Sequence, residues 1–139
     1  MYTKILHATD LQENHYELCK KAVEFAADCK APLYLLHVIE TPSLLQLAQG
    51  LGFAELVNPI KDAAMAVLTI LGEALQIPPE RQYIEIGSIK MHVLEKVNEL
   101  DIDLIIMGNH TPDHLPAFLG STAHLIMNHA TCDVLTVMP

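Results

Sequence analysis

Leu33-Tyr34-Leu35-Leu36-His37-Val38-Ile39 is a nearly continuous apolar run, with Ala31-Pro32 before it and Thr41-Pro42 after it. Seven such residues between two breakers read as a strand covered on both faces, the usual state of a central strand in a parallel sheet. Its neighbours along the chain fit that reading. Upstream, Ile5-Leu6-His7-Ala8 is a short strand that ends at Thr9-Asp10. A helix follows from about Asn14 to Lys30, where Leu18, Ala22, Phe25, Ala26 and Cys29 fall at helical spacing and give one apolar stripe. Ala31-Pro32 ends it.

Downstream, the stretch from Ser43 to Phe53 is apolar but carries Gly50 and Gly52, as a connection or a short helix over the sheet edge. A second long helix is expected from about Ala54 to Leu75, with Pro59 near its start or kinking it and Ala64, Leu68, Leu71 and Leu75 along one side. Gln82-Tyr83-Ile84-Glu85-Ile86 reads as the third strand, and Ser88 as the N-cap of a helix from Ile89 to Leu100. Met91, Leu94 and Val97, with Val93 as a further candidate, are expected on that helix's buried side. Leu104-Ile105-Ile106-Met107 is the fourth strand, broken by Gly108. Gly120-Ser121-Thr122 opens a last helix that ends near Ala130, and Asp133 to Val137 form the final strand. Strands alternating with helices over the whole length predict a single α/β domain, residues 1–139, built on a parallel sheet with right-handed crossovers. Ligands of such sheets sit at the carboxyl ends of the strands, beside the point where strand order reverses.

Composition narrows the function. The 139 residues carry 17 acidic against 8 basic side chains, a formal net charge of −9, and this acidity argues against a nucleic-acid or anionic-membrane partner. No apolar run approaches the roughly 20 residues that span a bilayer, and Met1 leads straight into the first strand, so a cytoplasmic protein is expected. The three cysteines, Cys19, Cys29 and Cys132, lack metal-ligand spacing and read as buried thiols. Cys19 and Cys29 lie about 15 Å apart along one helix, too far for a disulfide within it.

The densest local signal is Met107-Gly108-Asn109-His110-Thr111 followed, after eight residues, by Gly120-Ser121-Thr122. A strand ending in glycine and a second glycine opening a helix offer backbone amides and hydroxyls to an anion. An ordinary turn followed by an ordinary helix cap accounts for the same spacing. His7 and His37 fall in strands, as hydrogen-bonded core or crevice residues. His110 with His114 and His124 with His129 do not complete a metal tetrahedron, because five residues turn a helix by about 500° and the faces diverge. Asp10 lacks the acidic neighbour and the following lysine of a phosphoacceptor aspartate. Ser121 lacks an identifiable base, and no Gly-x-Ser-x-Gly elbow occurs, so no dedicated enzyme is expected.

Taken in order, Lys4-Ile5-Leu6-His7-Ala8-Thr9-Asp10, Leu35-Leu36-His37-Val38, Gly87-Ser88-Ile89, Asp103 to His110, Gly120-Ser121-Thr122 and Cys132 to Val137 resemble the universal stress protein family over essentially the whole chain. The resemblance implies a doubly wound sheet of five parallel strands in the order 3-2-1-4-5, with helices on both faces. It implies a homodimer through the C-terminal strand, a stress-response role with a protein partner not named by the sequence, and an adenine nucleotide, ATP with Mg²⁺, in the crevice. By position, Ala8, Thr9 and Asp10 would edge adenine and ribose, and Val38 would contact adenine. Met107, Gly108 and His110 would lie beside ribose and phosphates, while Gly120, Ser121 and Thr122 would hold phosphate oxygens.

In ATP-binding members the loop runs glycine, two residues, glycine, nine residues, then glycine with serine or threonine. Here Gly108 and Gly120-Ser121 match, Thr111 replaces the middle glycine, and the loop is one residue short. A β-branched residue resists positive φ and obstructs close approach of phosphate. Residues 101–139 also contain neither Lys nor Arg. The alternative is therefore a UspA-type dimer that acts as an interaction module without nucleotide.

Overall fold

The computed structural model describes residues 1–40, 52–109 and 121–139. Along the chain run β1 (Ile5–Thr9), α1 (His15–Cys29), β2 (Leu33–Ile39), α2 (Phe53–Leu75), a 3₁₀ turn (Pro79–Arg81), β3 (Gln82–Ile86), α3 (Ile89–Leu100), β4 (Leu104–Gly108), α4 (Ser121–His129) and β5 (Asp133–Val137). The strands form one sheet in the order β3-β2-β1-β4-β5, and every pairing is parallel. β1 sits at the centre, with Ile5 level with Leu33 on one side and with Leu104 on the other.

Alternation along the strands divides the core in two. Ile5, Leu33, Leu35, Leu104 and Ile106 pack with Cys19, Ala22 and Ala26 of α1 and Leu68 and Leu71 of α2. Leu6, Leu36, Val38, Ile105 and Met107 pack with Val93 and Val97 of α3 and Ile126 of α4. Local chemistry marks helix ends. Lys30 takes the left-handed conformation after α1, and its N–H returns to the carbonyls of Ala26 and Ala27. Before α3, the Ser88 side chain accepts the Met91 N–H at 3.3 Å, as an N-cap should.

Several expectations need correction. Met91 is 53% exposed, while Val93 and Val97 are buried and Leu94 is half-buried. Val93 and Val97 are one helical turn apart and define the inner face, and Met91 precedes Val93 by about 200° of rotation. Of the three thiols only Cys19 is buried; Cys29 and Cys132 are partly exposed. Phe25 is likewise only half-buried, at the margin of the α1 stripe. Pro59 falls, as expected, in the early part of α2, which runs unbroken from Phe53 to Leu75. The 3₁₀ turn after Pro78 has no counterpart in the sequence reading. The expected cover from Ser43 onward lies outside the described residues up to position 51, as do positions 110–120 of the β4–α4 connection.

Candidate functional site

β1 is where the winding reverses, since β2 follows it on one side and β4 joins it on the other. A crevice of about 450 Å³ opens at that point, off the carboxyl ends of β1, β2 and β4 and beside the first turn of α4. Ala8 and Thr9 enter it from β1, Asp10 from the turn that follows, Val38 from β2, Met107 and Gly108 from β4, and Ser121 and Thr122 from α4. These eight residues were expected around one ligand, and the fold does bring them to one cavity. His110, Thr111 and Gly120 lie outside the described residues.

The rim and the interior differ chemically. At the rim the chain leaves β1 in a turn held by its own side chains. Thr9 Oγ1 accepts the Leu11 N–H at 3.1 Å, and Asp10 Oδ1 accepts the Gln12 N–H at 2.9 Å. Asp10, Glu40 and Ser121 are exposed. Within the described lining the charged side chains are Asp10 and Glu40, with neither Lys nor Arg. The interior is mostly apolar, with Leu36, Val38, Val93, Met107 and Ala123 on the α3–α4 side and Leu18 on the α1 side.

Two histidines stand in this interior. His37 Nδ1 lies 2.9 Å from the Thr9 carbonyl oxygen, and His7 Nδ1 lies 3.0 Å from the Ile106 carbonyl oxygen. Each bond crosses from one strand to its neighbour and fixes a ring against the sheet. Burial pushes the His7 imidazole down from 6.5 to about 4, against the smaller opposing effects of the Ile106 carbonyl and Asp10. Both histidines were legible as core or crevice residues. Gln12, Leu18, Ile89, Val93 and Ala123 also line the cavity and were not anticipated. Leu36 could have been found, because it lies two residues before Val38 on the same face of β2. The contributions of α1, α3 and α4 depend on how the helices pack, which a motif does not encode.

Among the described residues, no three His, Cys, Asp or Glu side chains come together as a metal set. His124 Nε2 pairs with the Asn128 amide, and His129 Nδ1 with the Leu125 carbonyl, both within α4. No helix among the described residues is long and apolar enough to cross a membrane.

Comparison with known proteins bears on the whole chain. The profile of the Universal stress protein family matches residues 1–138. Universal stress protein A homolog 1 of Coxiella burnetii is 38% identical over 141 residues, covering 98% of this chain and 96% of that one. Universal stress protein G of Salmonella typhimurium is 31% identical, covering 99% of both. Among solved structures, the hypothetical protein MJ0577 superposes with a TM-score of 0.80 at 24% identity, covering 100% of this chain and 97% of that one. A universal stress protein solved in complex with cAMP superposes with a TM-score of 0.70 at 18% identity, covering 99% and 97%. At these identities the structural likenesses bear on the fold alone.

Proposed function

The chain belongs to the universal stress protein family, and from that premise we propose that it is a cytoplasmic stress-response regulator, dimeric through β5, whose crevice takes an adenine nucleotide. The observation that carries the reading is the convergence of Ala8, Thr9, Asp10, Val38, Met107, Gly108, Ser121 and Thr122 on one cavity at the switch point. An apolar interior with a polar rim suits a base inside and phosphates outside. His110, Thr111 and Gly120 complete the proposed set. A protein of the same fold is known in complex with cAMP, so an adenine ring is a ligand that this architecture accommodates.

Charge sets the condition on a triphosphate. Asp10 and Glu40 bring negative charge to the described lining, and no lysine or arginine offsets it. One unit charge at 4 Å is worth about 4 kcal/mol at an effective dielectric of 20, before desolvation. ATP therefore enters as its Mg²⁺ complex. The lining supplies binding groups, and Ser121 is assigned to phosphate rather than to nucleophilic attack. The same missing cation, with Thr111 in the loop, favours the second reading, a UspA-type interaction module without nucleotide.

Calorimetric titration of nucleotide-stripped protein separates the two. The nucleotide reading expects about one ATP per chain at micromolar affinity with Mg²⁺, weakened by about tenfold or more with EDTA. No heat, and no thermal shift at millimolar ATP with Mg²⁺, would assign the protein to the second reading.

A further inference from the structure

Helix α2 carries more apolar surface than the sheet covers. Its inner face, with Ala64, Leu68, Leu71 and Leu75, packs into the core. A second stripe runs along its flank: Leu56, Ile60, Ala63, Val67, Ile70 and Ala74. All six are exposed, Leu56 at 59%, Ile60 at 55% and Ile70 at 67%. Successive intervals alternate between four and three residues, the spacing of a seam that packs on another helix. At about 100° per residue the six fall within an arc of about 80°, roughly 90° round from the inner face. The charged residues of α2 are Glu55, Lys61, Asp62 and Glu73, and each lies about 100° or more from the centre of the stripe. Towards its C-terminal end the stripe borders an apolar groove of about 250 Å³, where Val67, Ile70 and Ala74 meet Tyr16 of α1. A helix that is apolar on two faces is ordinarily covered on both.

We propose that this stripe is a self-association surface, on which a second copy of the chain lays its own α2 antiparallel about a twofold axis. Size decides the direction. With the axis level with Met65, Leu56 meets Ala74, Ile60 meets Ile70 and Ala63 meets Val67, so every stripe residue has a partner and each alanine faces a larger side chain. Parallel pairing sets Ala63 against Ala63 and Ala74 against Ala74 and leaves gaps. Antiparallel helices also oppose their dipoles.

Area sets the strength. At about 100 Å² on each half-open large side chain, the stripe and Tyr16 present roughly 600 Å² per copy. The total of about 1,200 Å² is the lower limit of a stable interface, and it suits a weak contact with a dissociation constant of about 100 µM. Each chain carries a net charge of −9, which opposes the approach of two copies, so added salt strengthens an apolar contact of this kind. α2 packs at the β3 edge of the sheet, opposite β5. The contact is therefore independent of the homodimer proposed through β5 and joins such dimers in pairs.

Cysteine pairing tests contact and register together. Ile60→Cys and Ile70→Cys chains are made with the partly exposed Cys29 and Cys132 replaced by serine. Mild oxidation of the mixture at high concentration should yield the 60–70 disulfide. Neither chain alone should cross-link, because ten residues set like positions about 15 Å apart along antiparallel axes. Sedimentation equilibrium between about 10 µM and 1 mM gives the second readout. Wild type should show a further doubling of mass towards the upper end, more complete at high salt. Ile70→Lys, a change at an exposed position, should raise the dissociation constant of that step at least about tenfold with an unchanged far-UV spectrum. Absence of the 60–70 disulfide, or equal cross-linking within either chain alone, would overturn the antiparallel pairing. A wild type that does not double, or a doubling that Ile70→Lys retains, would overturn the surface itself. Ile70→Lys that loses stability to urea with no change in mass would show the stripe covered from within its own chain, and would overturn it too.

Discussion

Position 7 is occupied by a buried ionisable side chain in the central strand of the sheet, and that has a consequence for acid stability. The folded imidazole has a pKa of about 4 against 6.5 for a free one. Between those values the unfolded chain binds the proton and the folded chain does not, so stability rises with pH across that window. Stability is undiminished by this group above about pH 6.5 and falls progressively towards pH 4. At about 1.4 kcal/mol per unit, the loss is about 3 kcal/mol. Denaturant unfolding of wild type and His7→Leu from pH 7.5 to pH 4 should show the variant gaining on wild type by that amount as pH falls. A constant difference across the range would mean that His7 does not stay neutral in the fold. The histidine's place in a strand was visible in the sequence, and so was its character as a core or crevice residue. Which of its nitrogens is satisfied was not, because that depends on Ile106, 99 positions away. The same holds for Asp103, whose carboxylate accepts from Thr3 and Lys4 across the start of β1.

Elements were more legible than single contacts. The limits of β2, β3, α3 and β5 follow from breakers and caps that act locally, such as Pro32, Gly87 and Ser88, and they agree with the structure to the residue. Faces were harder, because the phase of α3 is set by what it packs against; Met91 was placed inward and lies outward. The end of α2 illustrates a contact that no local pattern reveals. A Cβ on Gly72 would collide with the Gln82 amide and meet the Ile77 carbonyl oxygen at 2.9 Å. That amide donates to the same carbonyl at 2.8 Å, and the Ile77 N–H donates back to the Gly72 carbonyl. Gly72 thus lets α2 close down on the first residue of β3. Alanine favours a helix interior over glycine by about 1 kcal/mol, so propensity alone predicts that Gly72→Ala stabilises. Steric displacement of Gln82, with loss of its hydrogen bond, outweighs that gain. Gly72→Ala should be net destabilising by about 1–3 kcal/mol in urea unfolding, and a stabilised variant would show that Gln82 swings away at no cost.

At the scale of the whole molecule, the strand order leaves two edges, and they are not alike. β3 is guarded by charge: Lys96 lies 3.4 Å from Glu85 and 4.4 Å from the centre of the Tyr83 ring. β5 carries Val134, Leu135, Thr136 and Val137, all half-buried, with charge only at Asp133. An apolar edge invites pairing, and a charged edge repels it. The proposed homodimer therefore belongs to β5, where two copies would pair antiparallel about a twofold axis. Backbone direction gives a clean way to test this. The Val137 carbonyl accepts the Asn109 N–H at 2.9 Å, so the polar groups of Val137 point towards β4. Those of Thr136, one residue earlier, point away from it. Thr136→Pro thus removes an outward donor and spares the β4–β5 ladder, and proline requires only that Leu135 stay extended, as a strand residue is. Sedimentation equilibrium should show a dimeric wild type and a Thr136→Pro variant whose dissociation constant is raised at least about tenfold, with an unchanged far-UV spectrum. A variant as dimeric as wild type would place the interface on another face, and a monomeric wild type would remove β5 as the site of assembly.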